Sequence, residues 1–112
     1  MNKKYRLKKT FEIEKLFQRR QSVGNQFYVI YFKFTSNNNP RVAFSVSKKL
    51  GNAVLRNKEK RVLREIVRKH INMINNCDLL IVEKKSAIDL EFAIKEKEII
   101  NLFGKIHKRR SM

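Results

Sequence analysis

The stretch from Ser47 to Lys69 constrains the fold of this chain most, because its pattern predicts a helix with two unlike faces. At about 100° per residue, four basic side chains form one row along that helix, with Asn57 and Arg61 beside it. The members of the row are Arg56, Lys60, Arg64 and Arg68. Apolar side chains occupy the remaining arc, at Leu55, Val62, Leu63, Ile66 and Val67. One face can therefore pack on a core while the other carries positive charge.

The basic row is unfavourable when it stands alone. Its members are four residues apart, and each like-charged pair costs an isolated helix about 0.2 to 0.5 kcal/mol. Only Glu59 and Glu65 offset the positive charge within the helix. A charged helix face is often simply solvated, but such a face usually mixes both signs. We therefore expect a polyanion to bind this face and relieve the repulsion.

The charge of the whole chain narrows the class of partner. Its 112 residues carry a formal net charge of +17, far more than solubility requires. Such an excess indicates a polyanion, with nucleic acid favoured over an anionic membrane surface. The length predicts a single domain over residues 1–112, with basic and flexible ends at 1–9 and 105–112.

No segment of the sequence predicts membrane insertion, catalysis or metal binding. The chain lacks a run of about 18 apolar residues and the apolar part of a signal peptide, so we expect a cytoplasmic protein. Cys77 is the single cysteine, and neither His70 nor His107 has the spacing of a zinc ligand relative to it. The acidic residues form no metal-site pattern, and we expect them to be solvated or to cap helices. The sequence thus predicts no catalytic residue, no metal ligand and no dinucleotide cofactor.

Two strands are predicted ahead of the basic helix. Side chains from Phe27 to Phe34 alternate between two sets, as in a strand with one buried face. The better core face consists of Tyr28, Ile30, Phe32 and Phe34. The segment from Arg41 to Ser47 alternates again, after a polar connection at 35–40. We therefore interpret the two strands as a hairpin.

The opposite face of that hairpin predicts a binding surface. It would show Tyr31 among smaller side chains, which together make a shallow floor. The floor residues are Val29, Tyr31 and Lys33 on the first strand and Ala43, Ser45 and Ser47 on the second. A nucleic acid base can stack on tyrosine for about 1 to 3 kcal/mol without any sequence requirement. The alternative, that Tyr31 packs under a helix, is equally compatible with the sequence.

Local signals predict two further helix boundaries and a third strand. Thr10 has the character of an N-cap for a first helix that ends near Gly24, and Asn52 caps the basic helix. The segment Cys77–Glu83 contains a short, continuous apolar run. Such a run predicts a strand that is covered on both faces and lies centrally in the sheet.

The last helix is predicted between a cap at Asp89 and a C-terminal glycine at Gly104. Its apolar positions spread over more than one arc, so they do not identify the face that packs. Aromatic and aliphatic side chains at helical spacing belong to a core far more often than to a binding site. We therefore assign Phe92, Ile99 and Phe103 to the core.

Residues 45–65, SVSKKLGNAVLRNKEKRVLRE, resemble the signature of the protein subunits of bacterial ribonuclease P, a ribonucleoprotein that removes 5′ leaders from precursor tRNAs. The family pattern is Ser-Lys-Lys, Gly-Asn-Ala-Val and then Arg-Asn-Arg-x-Lys-Arg-x-x-Arg. It is met at Lys48, Lys49, Gly51, Asn52, Ala53, Val54, Arg56, Asn57, Lys60, Arg61 and Arg64. Lys58 departs from the pattern, because arginine is usual there. Segments 6–17 and 22–31 are similar to the family's first helix and leader-binding strand.

The resemblance implies an α+β fold, a two-layer α-β sandwich with the element order αβββαβα. Its small mixed sheet would contain a left-handed βαβ crossover made by the basic helix, although the general rule predicts the right-handed form. The resemblance also implies that an RNA partner performs the phosphodiester hydrolysis with magnesium ions. The chain would then be a subunit of an endoribonuclease without catalytic side chains of its own.

Two RNA sites follow from the resemblance together with the basic row. The catalytic RNA would be bound by Lys48, Lys49, Asn52, Arg56, Asn57, Lys58, Lys60, Arg61, Arg64 and Arg68. A central cleft would bind the 5′ leader of precursor tRNA, at Ile13, Phe17, Val29, Tyr31 and Ser45. The alternative is a ribosomal or RNA-assembly protein with no enzymatic role, which would hold structured RNA with the same helix.

Overall fold

The structure, a computed structural model, describes residues 5–7, 10–19 and 21–110. Its helices and strands follow the order αβββαβα that the resemblance implies. They are α1 (Thr10–Arg19), β1 (Ser22–Gly24), β2 (Tyr28–Phe34), β3 (Arg41–Ser45), α2 (Ala53–Lys69), β4 (Cys77–Glu83) and α3 (Phe92–Arg110). The predicted flexible end at 1–9 falls largely outside the described residues, whereas residues 105–110 continue α3.

The four strands form one mixed sheet in the order β1-β2-β4-β3. β4 is antiparallel to β2 and parallel to β3. The prediction of a hairpin between β2 and β3 is therefore wrong, while the central position of Cys77–Glu83 is confirmed. The connection at 35–40 is long enough to span the roughly 10 Å between strands two positions apart, so β3 leaves room for β4. The apolar run of β4 gains burial by lying between two neighbours.

α2 joins β3 to β4 and packs with α3 on one face of the sheet, which gives the α-β sandwich its main core. Tyr28, Ile30 and Phe32 are fully buried there as predicted, and Phe34 is partly buried. They meet helix side chains that are exposed by no more than 2%. These are Leu63, Ile66 and Val67 from α2 and Ile99, Leu102, Phe103 and Ile106 from α3. Burial of each large apolar side chain stabilises the fold by about 1.5 to 3 kcal/mol.

α1 and the segment 5–7 cover part of the opposite face of the sheet. Arg6 pairs with Val42 in a parallel bridge, and Leu7 N donates to the Val42 carbonyl at 3.0 Å. Leu7 then packs with Ala43 and Leu80 in a second, smaller cluster. The edge of β3 is thereby partly paired, and the apolar cluster on this face is smaller than the main core.

α1 ends at Arg19 rather than near Gly24, because Ser22–Gly24 form the edge strand β1 and a turn follows that strand. Asn25 Oδ1 accepts a hydrogen bond from Phe27 N at 2.8 Å, in the way that asparagine side chains commonly stabilise turns. The turn reverses the chain, and β1 pairs with β2 as a short edge strand. The predicted first helix is therefore too long at its C-terminal end.

α3 begins at Phe92, and Asp89 does not cap it. The Ala87 carbonyl accepts a hydrogen bond from Leu90 N at 3.2 Å, which keeps Asp89 inside a turn. Helical hydrogen bonding starts at the Glu91 carbonyl instead. The predicted start of the last helix is therefore two residues too early, at Leu90 instead of Phe92.

α3 also ends later than predicted, because it continues past Gly104 to Arg110. Ile106 is 2% exposed, and burying it outweighs the roughly 1 kcal/mol that glycine costs inside a helix. At 19 residues α3 is the longest described helix. None of the helices in the described part of the chain has the apolar stretch that a bilayer crossing requires.

Candidate nucleic-acid interface

The basic helix α2 begins where the sequence predicts. Asn52 Oδ1 accepts a hydrogen bond from Leu55 N at 3.0 Å, which satisfies one of the N–H groups that a helix leaves unpaired at its start. The helix runs to Lys69, and basic residues in its last turn are favourable at the negative end of the helix dipole. The predicted cap and the predicted end of this helix are confirmed.

Most of the predicted RNA-binding residues are exposed on α2 and on the turn before it. Eight are exposed to solvent: Lys48, Lys49, Asn52, Asn57, Lys58, Arg61, Arg64 and Arg68. Arg56 and Lys60 are half-buried along one edge of the helix. The surface is therefore accessible along the whole length of α2, and which of these residues contact RNA stays a prediction.

The exposed charge on α2 is largely unpaired. Arg68 forms an ion pair with Glu65 at 2.6 Å, and its hydrogen bond lowers the pKa of the Glu65 carboxyl. Five other basic residues of the helix form no ion pair within the described part of the chain: Arg56, Lys58, Lys60, Arg61 and Arg64. A surface with this excess of unpaired positive charge is suited to bind phosphate groups.

The sheet face opposite the main core forms the predicted floor, but with an extra strand in it. Because β4 lies between β2 and β3, side chains line up in rows across three strands. The two central rows are Val29–Val82–Ser45 and Tyr31–Leu80–Ala43. The sequence reasoning missed Leu80 and Val82, although the period of two within β4 assigns both to one face. Ser47 is not part of this floor, because it accepts a hydrogen bond from Lys49 N in the next turn.

Tyr31 packs partly under a helix, which is one of the two alternatives that the sequence left open. It is half-buried, and it packs with Ile13 of α1 against the small apolar cluster on this face. Val29 and Ser45 are half-buried in the neighbouring row, so part of each remains accessible to a ligand. Phe17 belongs to α1, but its side chain lies outside what the structure describes.

Charged side chains close one end of the floor. Arg41 donates to both oxygens of Asp78, from Nε at 3.0 Å and from Nη2 at 2.7 Å. Its Nη1 also lies 3.2 Å from Oε2 of Glu12 in α1. The hydrogen bonds to Asp78 raise the pKa of Arg41 above its ordinary value. The bidentate pair has a defined geometry that fixes Arg41 against Asp78, and the contact of Arg41 with Glu12 then ties α1 to the floor.

A groove of about 260 Å³ connects the floor with the basic helix. Its lining includes Arg6, Leu7, Ile13, Phe44, Lys60 and Arg64. The structure thus brings Ile13, a predicted cleft residue, next to two predicted RNA-binding residues of α2. Lys58 is not part of this group, because it lies about 200° around the helix from Lys60 and lines a different groove against the start of α3.

Three acidic residues are buried, against the expectation that acids are solvated or cap helices: Glu59, Asp78 and Glu83. Lys95 Nζ pairs with Glu59 Oε1 at 2.6 Å inside the protein. Burial, together with the nearby Glu59 carboxyl, raises the pKa of Glu83 to about 8, so Glu83 holds a proton at neutral pH. The sequence did carry a signal for Glu59, because it lies on the apolar arc four residues before Leu63. Within the described residues, no group of acidic, histidine and cysteine side chains is arranged to hold a metal ion.

The fold and the surface together define a small α+β RNA-binding protein, which presents a basic helix beside an apolar sheet floor. The sequence pattern of one protein family, Ribonuclease P, matches residues 1–107. The chain therefore belongs to the ribonuclease P protein family.

Two relatives cover almost the whole chain. It is 38% identical over 114 residues to the ribonuclease P protein component of Bacillus velezensis, with 99% of this chain and 98% of that one covered. It is 36% identical over 108 residues to the ribonuclease P protein component of Mycoplasma mycoides, with 95% and 99% covered. Family membership thus extends over the whole fold.

Solved structures of RNase P proteins have the same fold. The protein of Staphylococcus aureus superposes with a TM-score of 0.83 at 32% identity, covering 91% of this chain and 94% of that chain. The protein of Thermotoga maritima superposes with a TM-score of 0.83 at 26% identity, covering 89% and 96%. The α+β fold class that the resemblance implies is confirmed.

Proposed function

We propose that this chain is the RNA-binding subunit of a ribonuclease P and assists its catalytic RNA in removing the 5′ leader from precursor tRNA. The observation that carries the proposal is the unpaired basic face of α2 beside a half-exposed floor, in a chain of the ribonuclease P family. None of the relatives named above supports the alternative of a ribosomal or assembly protein.

α2 and the turn before it would bind the catalytic RNA. Basic residues that contact phosphates displace condensed counterions, and this gives both affinity and a strong dependence on salt. Arg61 and Arg64 are well suited to this role, because within the described residues they have no ion pair to break before RNA binds. Lys48 and Lys49, at the start of this surface, would extend the contact toward the floor.

The floor would bind the 5′ leader of the precursor. Tyr31 offers part of its ring, and Val29 and Ser45 flank it with small side chains that leave room for a base. Stacking on an aromatic ring needs no particular base, so this contact would grip leaders of different sequence. Mature tRNA has no leader, and the floor would therefore distinguish the precursor from the product.

The positive charge of α2 would also lower the magnesium requirement of the catalytic RNA. Phosphates that are brought together near an active site repel one another, and fixed lysine and arginine side chains reduce that repulsion in place of free cations. The magnesium ions used in hydrolysis would be held by the RNA. We infer that the chain works in the cytoplasm, where bacteria process their tRNA precursors.

Reconstitution tests the proposal directly. The full chain is combined with a bacterial ribonuclease P RNA, and the rate of precursor tRNA cleavage is measured at low magnesium with and without the chain. We expect cleavage to be stimulated, and most strongly where magnesium is limiting. Absence of stimulation would overturn the proposal, and co-sedimentation with ribosomes in that case would favour the alternative.

A further inference from the structure

Phe92 is an aromatic side chain that the sequence wrongly assigns to the core. It is 39% exposed at the first residue of α3, whereas Ile99 and Phe103 of the same helix are fully buried. Lys69 Nζ, from the end of α2, lies 5.4 Å from the centre of its ring. Core packing therefore does not account for this ring, which faces solvent beside the basic helix.

The ring borders a groove of about 340 Å³ between α2 and the turn before α3, called here the α2–α3 groove. The residues that form its outer walls are Lys58, Val62, Ile88, Asp89, Leu90 and Phe92. It lies on the flank of α2 opposite the groove that Lys60 and Arg64 line. A ligand in the α2–α3 groove would therefore not compete with one bound along the basic row.

The charged residues that line the α2–α3 groove divide into an internal pair and two outward groups, and Lys69 lies beside them against the Phe92 ring. Glu59 and Lys95 line the inner wall, but they pair with each other and so cancel. Lys58 and Asp89 are exposed, and neither side chain has an ion pair or hydrogen bond within the described part of the chain. The groove thus offers a ligand one ammonium, one carboxylate and one aromatic face.

We propose that the α2–α3 groove binds one unpaired nucleotide of the partner RNA, with its base against Phe92 and its phosphate near Lys58. An aromatic face stacks a base, an ammonium attracts a phosphate, and the Asp89 carboxylate accepts N–H groups from the edge of the base. Guanine fits best, because its N1–H and its exocyclic amine can both donate to one carboxylate. An acidic peptide fits less well, since Asp89 repels it. The inference rests on the proposed function, because it requires that α2 faces RNA.

The first test measures the dissociation constant of the full chain for a bacterial ribonuclease P RNA at fixed salt. Phe92→Leu keeps an apolar side chain but removes the aromatic face, and we expect binding to weaken at least about fivefold and to recover in Phe92→Trp. Ile94→Ala is the matched control, because Ile94 is 41% exposed on the same helix and does not line the groove. It should stay within about twofold of wild type.

Equal affinities of Phe92→Leu and wild type would overturn this inference and leave the proposed function intact. Failure of the wild-type chain to bind the RNA would instead overturn the proposed function. Asp89→Asn tests the groove independently, because this exposed substitution leaves the apolar packing of Phe92 in place. We expect it to weaken RNA binding as well. An Asp89→Asn affinity equal to wild type would contradict the proposed hydrogen bonds between Asp89 and a guanine base.

The second test identifies the nucleotide. Chemical probing should find one unpaired guanine in the RNA that wild type and Ile94→Ala protect, and that Phe92→Leu and Asp89→Asn leave reactive. An abasic site at that nucleotide should weaken wild-type binding as much as Phe92→Leu does, and the two changes together should cost nothing more. Additive losses would mean that the ring does not touch this base, and they would overturn the proposal.

Discussion

The inner and outer sides of α2 both carry charged side chains, but the inner charge is buried and paired, whereas the outer charge is exposed and unpaired. On the inner side, Glu59 is 2% exposed and pairs with Lys95 at 2.6 Å. On the outer side, Arg61 and Arg64 are exposed and have no ion pair within the described residues. A buried charge without a partner is strongly destabilising, so the core supplies one. At the surface, water stabilises an unpaired charge and leaves it available to a ligand.

This difference separates charge that holds the fold from charge that serves binding. The inner pair joins α2 to α3, and two further contacts reinforce the same junction, from Lys69 and His70 to Glu96 at 3.8 and 3.1 Å. Loss of an inner charge should therefore change stability and leave the salt dependence of RNA binding alone. Loss of an outer charge should do the reverse.

Breaking the inner pair should have the largest effect. Lys95→Met leaves Glu59 buried without its partner, which should lower the free energy of unfolding by about 3 to 5 kcal/mol. Urea unfolding followed by circular dichroism measures the loss. A second variant, Glu59→Leu with Lys95→Met, should recover most of it, because an apolar pair of similar volume can replace a buried ion pair.

Lys97→Met is the matched control for this loss. Lys97 is exposed on the same helix and forms no ion pair within the described residues, so its removal should change the free energy of unfolding by no more than about 0.5 kcal/mol. If Lys95→Met and Lys97→Met lose similar stability, the inner pair does not hold α2 to α3.

Removing an outer charge should act on RNA binding instead. Arg61→Ala should weaken binding to the catalytic RNA by about 1.5 to 3 kcal/mol, the range for a charged hydrogen bond, and lower the salt slope by about one. Its free energy of unfolding should remain within about 0.5 kcal/mol of wild type. Lys97→Ala removes the same charge from α3 and should preserve affinity. Unchanged affinity and slope in Arg61→Ala would contradict the assignment of the outer face.

A change in the floor should weaken binding of a different ligand from the one that the outer face of α2 binds. Tyr31→Ala should weaken binding of precursor tRNA to the reconstituted enzyme by about 1 to 3 kcal/mol, because a stacking surface is lost, and leave mature tRNA nearly unaffected. Tyr31→Phe keeps the ring and should bind the precursor as wild type does. Equal losses for precursor and mature tRNA in Tyr31→Ala would show that the floor does not read the leader.

Elements with local signals could be predicted from the sequence. The Asn52 cap and the helical period of α2 involve residues within a few positions of one another, and the apolar run of β4 indicates burial by composition alone. The faces of Val29, Tyr31 and Ser45 were also assigned correctly, although the strand pairing was not. Alternation along a strand sets the face of each side chain, whichever strand lies next to it.

Features that depend on distant partners could not be predicted in the same way. β4 enters the sheet between β2 and β3 only after α2 has crossed over, so the local hairpin pattern was misleading. Glu59 is buried because it pairs with Lys95, which lies 36 residues later in the sequence. Phe92 is exposed because a turn, rather than Asp89, sets where α3 starts. The strand order and the burial of Glu59 were thus decided by tertiary contacts, whereas the turn before α3 is local and was obscured by the cap signal of Asp89.

The proton on Glu83 should give the smallest effect over any one pH unit. Burial and then the Glu59 carboxyl raise its pKa from 4.5 to about 8. The folded state therefore holds this proton more tightly than the unfolded state does, so the stabilisation is complete below pH 4.5 and is lost as the pH rises toward 8. The loss should not exceed about 1.4 kcal/mol for each pH unit.

Glu83→Gln isolates this contribution, because an uncharged amide mimics the protonated acid at every pH. The groups that act on this position are Glu59 on α2, Lys95 on α3 and the Tyr28 hydroxyl on β2. Urea unfolding from about pH 5 to about pH 8 should give a steeper decline in wild type than in the variant. Parallel curves would mean that Glu83 is already ionised and that the core beneath α2 tolerates a charge without a partner. The contrast with its outer face would then fail.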